Sequence, residues 1–282
     1  MATASARLAR QSRTSFYYAF QVLPAAKRRA IYALYSFCRV VDDCVDEEAG
    51  EGEAGLSRWL EEVDRCYSGR PTTDLGRDLA AALKSFPIPR ACLEEIVAGC
   101  RMDLTTTRYE TFEDLRVYCR RVASAVGLAS IEIFGYADDG TRLYAAELGL
   151  ALQLTNILRD VGSDAERGRI YVPLEDLRRF GVSEEEILGG RSSRESRTPG
   201  LEALLRFQAE RARAHHQRAR GLLPARDRRS MVAAEIMRAV YRALLEEIAR
   251  RGFPLEGPRV SLSRPRKAWI ALATISRALL PA

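Results

Sequence analysis

Arg39-Val40-Val41-Asp42-Asp43-Cys44-Val45-Asp46-Glu47 and, more than a hundred residues on, Gln153-Leu154-Thr155-Asn156-Ile157-Leu158-Arg159-Asp160-Val161-Gly162-Ser163-Asp164 carry acidic residues at helical spacing. Residues three and four apart share a face of an α-helix, so Asp42 and Asp46 project together, with Asp43 beside them. Gln153, Asn156, Asp160 and Asp164 form one polar stripe in the second stretch. Leu148, Leu150, Ala151, Leu152, Leu154, Ile157 and Leu158 make its surroundings apolar, the mark of a buried helix. Buried polar groups are costly unless satisfied. A structural hydrogen-bond network accounts for Gln153 and Asn156, but not for stacked Asp160 and Asp164 or the matching cluster upstream. A solvated helix end would explain the first cluster only if it stood alone. Stacked carboxylates ask for positive charge between them, and Mg²⁺ is the natural choice: a hard cation that shares itself between carboxylates and substrate phosphates.

Working outward, the chain reads as all-α. Apolar residues recur three and four apart, and alternating strand patterns are scarce. The spacing predicts helices at 14–21, 25–48, 56–68, 75–86, 89–101, 111–135, 140–164, 174–180, 183–188, 201–223, 227–251 and 265–279. Pro24 precedes the second of these, and Ser57 and Thr111 read as N-caps. Residues 189–200, rich in Gly, Ser and Arg, read as a surface loop inside one domain spanning 1–282, since both acidic stretches precede it.

Composition removes several function classes. With 47% apolar residues the chain can bury a large core. No signal peptide and no run of about 20 apolar residues is present, so a cytoplasmic protein is expected. The apolar C-terminal segment Trp269–Leu280 is read first as a packed helix and second as a peripheral contact with the inner membrane surface. Six cysteines lack a CxxC pair and behave as small hydrophobes. The only histidines, His215 and His216, are adjacent and point to different helix faces, which disfavours zinc and Ser-His-Asp or Cys-His catalysis. Net charge is +6, but the basic residues are spread along the chain among glutamates, so no nucleic-acid partner is expected.

Two further segments bear on a site. Glu166-Arg167-Gly168-Arg169-Ile170-Tyr171 reads as a loop able to fold over it, Gly168 giving backbone freedom. At least one of Arg159, Arg167 and Arg169 is expected on a diphosphate. Tyr118 to Ser130 is rich in small residues, which suits close helix packing or space for a long ligand. Tyr118 is then core filling or a residue orienting proton transfer.

Taken together, these residues resemble the squalene/phytoene synthase family of head-to-head prenyl transferases. The likeness runs from about Ser12 to the C-terminus and includes Ser15-Phe16-Tyr17-Tyr18-Ala19-Phe20, both acidic stretches, Tyr118 to Gly127 and the Arg167-Gly168-Arg169 loop. It implies a single-domain isoprenoid-synthase helical bundle around a central cavity. Asp42, Asp43 and Asp46 would hold Mg²⁺ (or Mn²⁺ as a substitute) on one side, and Asn156, Asp160 and Asp164 on the other. Ser15, Phe16, Arg39, Gln153, Asn156, Arg159, Arg169, Tyr241 and Arg259 would bind substrate and diphosphate. Tyr35, Tyr118 and Tyr171, with Asp42 and Asp160, would form the reaction centre.

Within the family the likeness is narrower to presqualene diphosphate synthases, of the farnesyl-diphosphate farnesyltransferase type, which serve squalene and hopanoid synthesis. It rests on Arg108–Phe112, Arg121–Leu128 and Arg259–Trp269. Two farnesyl diphosphates would condense and release diphosphate, with no NADPH and with downstream squalene-pathway enzymes as partners. Phytoene or dehydrosqualene synthase of carotenoid synthesis is the alternative, since all branches share the acidic residues. A non-catalytic helical scaffold is the alternative of another class, and the intact set of carboxylates argues against it.

Overall fold

Helix α1 (Ala25–Asp46) begins directly after Pro24, whose carbonyl accepts from the Arg28 amide at 2.8 Å. The computed structural model describes Ser5 and residues 19–46, 51–189 and 197–279, without the side chains of Asp46 and Leu279. The expected helix 14–21 therefore lies mostly outside the described residues, as do Ser15 and Phe16. Then come α2 (Gly52–Tyr67), α3 (Asp74–Ser85), α4 (Arg90–Met102), α5 (Phe112–Cys119), a π-helical turn (Arg120–Ser124) and α6 (Ala125–Phe134). The long α7 (Gly140–Glu166), short α8 (Leu174–Phe180) and α9 (Glu184–Leu188), α10 (Pro199–Leu222), α11 (Val232–Arg250) and α12 (Arg264–Leu279) complete the chain. Among the described residues there is no strand, and the architecture is all-α as expected. None of these helices is long and apolar enough to cross a membrane.

Local chemistry sets the ends. Thr111 caps α5 in a reciprocal box with Asp114. Ser57 is no cap: α2 starts at Gly52, and the Ser57 hydroxyl donates to Glu53 one turn back at 3.0 Å. Thr198 caps α10 with Pro199 in its first turn, so the expected 189–200 loop ends earlier than its composition suggests. α12 buries Ala271 but leaves Trp269 71% and Leu272 60% exposed, so it is only partly the packed terminal helix expected.

The stretch 111–135 is not one helix. It changes to π-helix at Arg120–Ser124, where its backbone is pressed between α4 and α7. A Cβ on Gly149 would lie 2.6 Å from the Ala123 carbonyl oxygen, and one on Gly127 2.6 Å from that of Ala145. Ser124 donates to the Ala146 carbonyl at 2.7 Å. The small residues thus bring the two backbones into contact, and a wider turn lets both helices keep their line. α7 sits at the centre, buried from Thr141 to Ala165 on the face that packs along α10, while its remaining face lines a cavity.

Candidate active site

The cavity has a volume of about 720 Å³ and is walled by α1, α4, α6, α7 and α11. Asp42 lines it from α1; Gln153, Asn156, Asp160 and Asp164 line it from α7, as one stripe. Arg39, Arg159, Arg169, Arg259, Tyr35, Tyr118, Tyr171 and Tyr241 also border it, so the structure gathers nearly all of the expected residues. Asp43 stands just outside the lining, its carboxylate 2.6 Å from Arg39, which also lies 3.7 Å from Asp42. The Asp46 side chain, Ser15 and Phe16 lie outside the described residues.

On α7 the carboxylates are unequally matched with positive charge. Arg159 donates to both oxygens of Asp160, at 2.8 and 2.6 Å, and Arg259 approaches the same group at 3.2 Å. Burial opposes the charge on Arg159, but the Asp160 pairing outweighs it and holds the guanidinium above the ordinary arginine range. Burial first, and then the Asp160 charge, push Asp164 up to about 7, despite Arg259, Arg167 and Arg169 nearby. Asn156 donates to Gln153 at 3.3 Å, yet its own Oδ1 is buried with no hydrogen-bond partner among the described residues. A penalised carboxylate and an orphaned amide oxygen on one helix face form a hard-oxygen donor set short of a cation, which fits Mg²⁺. No three acidic, Cys or His side chains among the described residues converge tightly enough to hold a metal unaided.

A second cluster was not legible in the sequence. Asp103, at the end of α4, is buried and accepts the Tyr118 hydroxyl at 3.0 Å and the Tyr171 hydroxyl at 2.7 Å. Tyr109 completes a three-ring cluster, its centroid 5.6 Å from Tyr118 in a tilted contact and 5.9 Å from Tyr171 in a stacked one. Burial, and next the Asp103 charge, push the Tyr118 and Tyr171 hydroxyls above the usual phenol range, so both remain protonated. Tyr118 packs in the core, borders the cavity and is held by a carboxylate. Arg169 donates to the Asp103 and Val45 carbonyls at 3.2 and 3.4 Å, tying the Gly168 loop (φ +71°) to the end of α1. Tyr241 hydrogen-bonds Asn156 and Arg159 from α11, so the aromatic wall also fixes the acidic helix.

Residues 9–266 match the family described as squalene/phytoene synthase. A 15-cis-phytoene synthase of Synechocystis sp. is 38% identical over 279 residues, covering 91% of this chain and 80% of that one. Relatives from Arthrospira platensis, Mycobacterium tuberculosis and Solanum lycopersicum, 34–38% identical, also bear the name phytoene synthase. A solved dehydrosqualene synthase superposes with TM-score 0.84 at 30% identity, covering 96% of this chain and 94% of that one. The squalene synthase HpnC of Alicyclobacillus acidocaldarius superposes with TM-score 0.76 at 32% identity, covering 88% and 92%.

The relatives overturn the expectation of a presqualene diphosphate synthase and favour the phytoene alternative that stood beside it. Two of the segments behind that expectation serve the architecture in part, whereas Arg259, Val260, Ser261, Leu262 and Lys267 of the third line the cavity. Arg108 pairs with Glu184 at 2.6 Å and holds the Gly168 carbonyl, Thr111 caps α5, and Arg121–Leu128 packs against α7. Such contacts maintain the fold whatever the product. The chain belongs to the squalene/phytoene synthase family of prenyltransferase-type enzymes.

Proposed function

We propose that the site joins two geranylgeranyl diphosphates head to head and releases phytoene. The observation that carries this reading is the convergence of Asp42 and the Asn156–Asp160–Asp164 stripe on one mostly apolar cavity. The chain length follows the names of the relatives. Asp42, Asp43 and Asp46 on α1 and Asn156, Asp160 and Asp164 on α7 would hold Mg²⁺. Bound there, the metal supplies charge neutralisation for the departing diphosphate.

The protein's own groups do the rest. Arg39, Arg159 and Arg259 grip phosphate oxygens. Apolar walls exclude the water that would quench an allylic cation, and the ring faces of Tyr35, Tyr118 and Tyr171 stabilise it without attacking. C1 of one chain bonds to the C2=C3 double bond of the other, and a lost proton closes a cyclopropane. Loss of the second diphosphate, ring rearrangement and a second proton loss give the C40 hydrocarbon. The balance is two diphosphates and two protons, so no reductant is consumed. Tyr118, hydrogen-bonded to Asp103, can take a proton while passing its own to that carboxylate; released diphosphate is the other acceptor.

Purified protein with Mg²⁺ and geranylgeranyl diphosphate should yield a C40 hydrocarbon without NADPH, read by mass spectrometry. The likeness to a dehydrosqualene synthase favours a second reading, the same chemistry on farnesyl diphosphate. A C30 product from farnesyl diphosphate, with none from the C20 substrate, would select it. The reading extends to a peripheral membrane contact through α12, whose exposed Trp269 and Leu272 share the helix with Arg266 and Arg277.

A further inference from the structure

The cavity has a closed end opposite its acidic end, located by three contacts between the helices that wall it. Lys27, in the first turn of α1, donates to the Phe134 carbonyl at the end of α6. Arg142, in the first turn of α7, pairs with Glu132 of α6 at 3.0 Å. The Tyr144 hydroxyl donates to Glu235, in the first turn of α11, at 2.9 Å. The start of α1, the end of α6 and the starts of α7 and α11 therefore meet, at the far end from the acidic C-terminal portions of α1 and α7. Ile31, Ile131, Phe134, Tyr144 and Ala234 line the cavity here.

Tyr144 is the largest of these side chains and is fully buried. Its ring is fixed at the tip, because Glu235 is itself clamped by Arg238 through bonds of 2.9 to 3.1 Å. A large ring with an anchored hydroxyl cannot swing aside as an aliphatic residue does. Sixteen residues separate Tyr144 from Asp160, a rise of about 24 Å along α7. Each isoprene unit adds four chain carbons, about 5 Å at ordinary bond lengths. With its diphosphate at Asp160, a four-unit tail of about 20 Å ends short of Tyr144, whereas a five-unit tail of about 25 Å collides with it.

We infer that Tyr144, locked by Glu235, is the chain-length stop of this cavity and limits the prenyl tail to four isoprene units. The inference rests on the reading of the site as a prenyl diphosphate pocket, and its test separates the two. Non-reactive thiolo-diphosphate analogues of the C20 and C25 prenyl chains are titrated against wild type, Tyr144→Ala, Tyr144→Val and Tyr144→Phe. Turnover of the matching diphosphates is measured in parallel. Wild type should prefer C20 at least tenfold. Tyr144→Ala and Tyr144→Val should each raise relative C25 affinity at least tenfold, and Tyr144→Phe, which keeps the ring but frees its tip from Glu235, should raise it by less than either. Should the alanine variant fail to fold, the valine variant decides. An unchanged C25-to-C20 affinity ratio in the folded small-residue variant overturns the inference. Absent turnover in wild type with an intact shift in that ratio overturns the catalytic reading and leaves the stop standing.

Discussion

Tyr171 donates its hydroxyl to Asp103 across 2.7 Å, joining the loop after the second acidic stretch to the end of α4. Since Tyr118 donates to the other oxygen of the same carboxylate, Asp103 sets the position of both rings. Asp103→Asn keeps the volume but turns one acceptor into a donor, so one tyrosine hydroxyl loses the acceptor for its proton. Positioned proton transfer typically contributes about 10²-fold or more. The expected result is a kcat lowered about 100-fold with KM within a few-fold, measured by steady-state kinetics. Tyr118→Phe should show the same split with little change in thermal unfolding; an unaltered kcat would remove the pair from the mechanism.

Metal dependence should divide the acidic residues of α7. EDTA should abolish turnover and Mg²⁺ restore it, and Asp42→Asn, Asp160→Asn and Asp164→Asn should each lower activity at least about 10³-fold. Their stabilities should differ. Asp160→Asn strands the Arg159 charge, which is 20% exposed, and should lower the melting temperature. Asp164→Asn relieves a carboxylate penalised by burial and by Asp160, and should raise it in metal-free protein. Scanning calorimetry in EDTA distinguishes the two.

Acid should unfold the protein in two windows. His216 is buried between α7 and α10; Thr155 already donates to Ala151, so its oxygen accepts from His216 Nε2 at 3.0 Å. Burial, then Arg238 and Arg242, lower this histidine to about 3. The unfolded chain binds the proton from about pH 6.5 downward and the native state does not. The His216 contribution is therefore complete above 6.5 and declines from there to about pH 3, against an opposing gain as buried Asp164 takes up its proton below about 7. Burial alone would raise Glu62, but hydrogen bonds from Thr72 and Thr73 win and hold it down to about 2. Its contribution is lost as pH falls from about 4.5 to 2. His216→Gln should flatten the upper window only, read as melting temperature against pH.

Gly149→Ala tests the close approach of α7 to the π-helical turn. The added methyl would meet the Ala123 carbonyl carbon and Ser124 Cα at 2.7 Å, backbone atoms that cannot rotate away. Overpacking of this kind costs roughly 1–3 kcal/mol. Thermal unfolding should show that loss. A neutral result would mean the two helices slide apart readily.

Trp269→Ala with Leu272→Ala should reduce co-sedimentation with anionic vesicles and leave it unchanged with neutral ones, where binding is weak from the outset. Equal binding by wild type and the double variant would dismiss α12 as a membrane contact.

The sequence was informative where chemistry repeats along one helix. The stripe from Gln153 to Asp164 announces its shared face by spacing alone, and all four polar side chains reach the cavity. Asp103 carries no such signal: its partners lie 15 and 68 residues away, so only folding makes it a site residue. The π-helical turn was equally hidden, because periodicity over 111–135 cannot register a neighbour's backbone pressing on Ala123. Tyr241 and Arg259 came from the family likeness, not from any local pattern.

Arg169 reaches back 124 residues to the Val45 carbonyl while holding the Asp103 carbonyl. The two acidic helices and the tyrosine cluster are thereby stitched into one inheritable block. In a chimera, exchanging α7 and its following loop without the matching end of α1 would cut the stitch, however perfectly every aspartate were retained. Recombination between relatives should therefore succeed at junctions that keep all three pieces from one parent and fail at those that divide them.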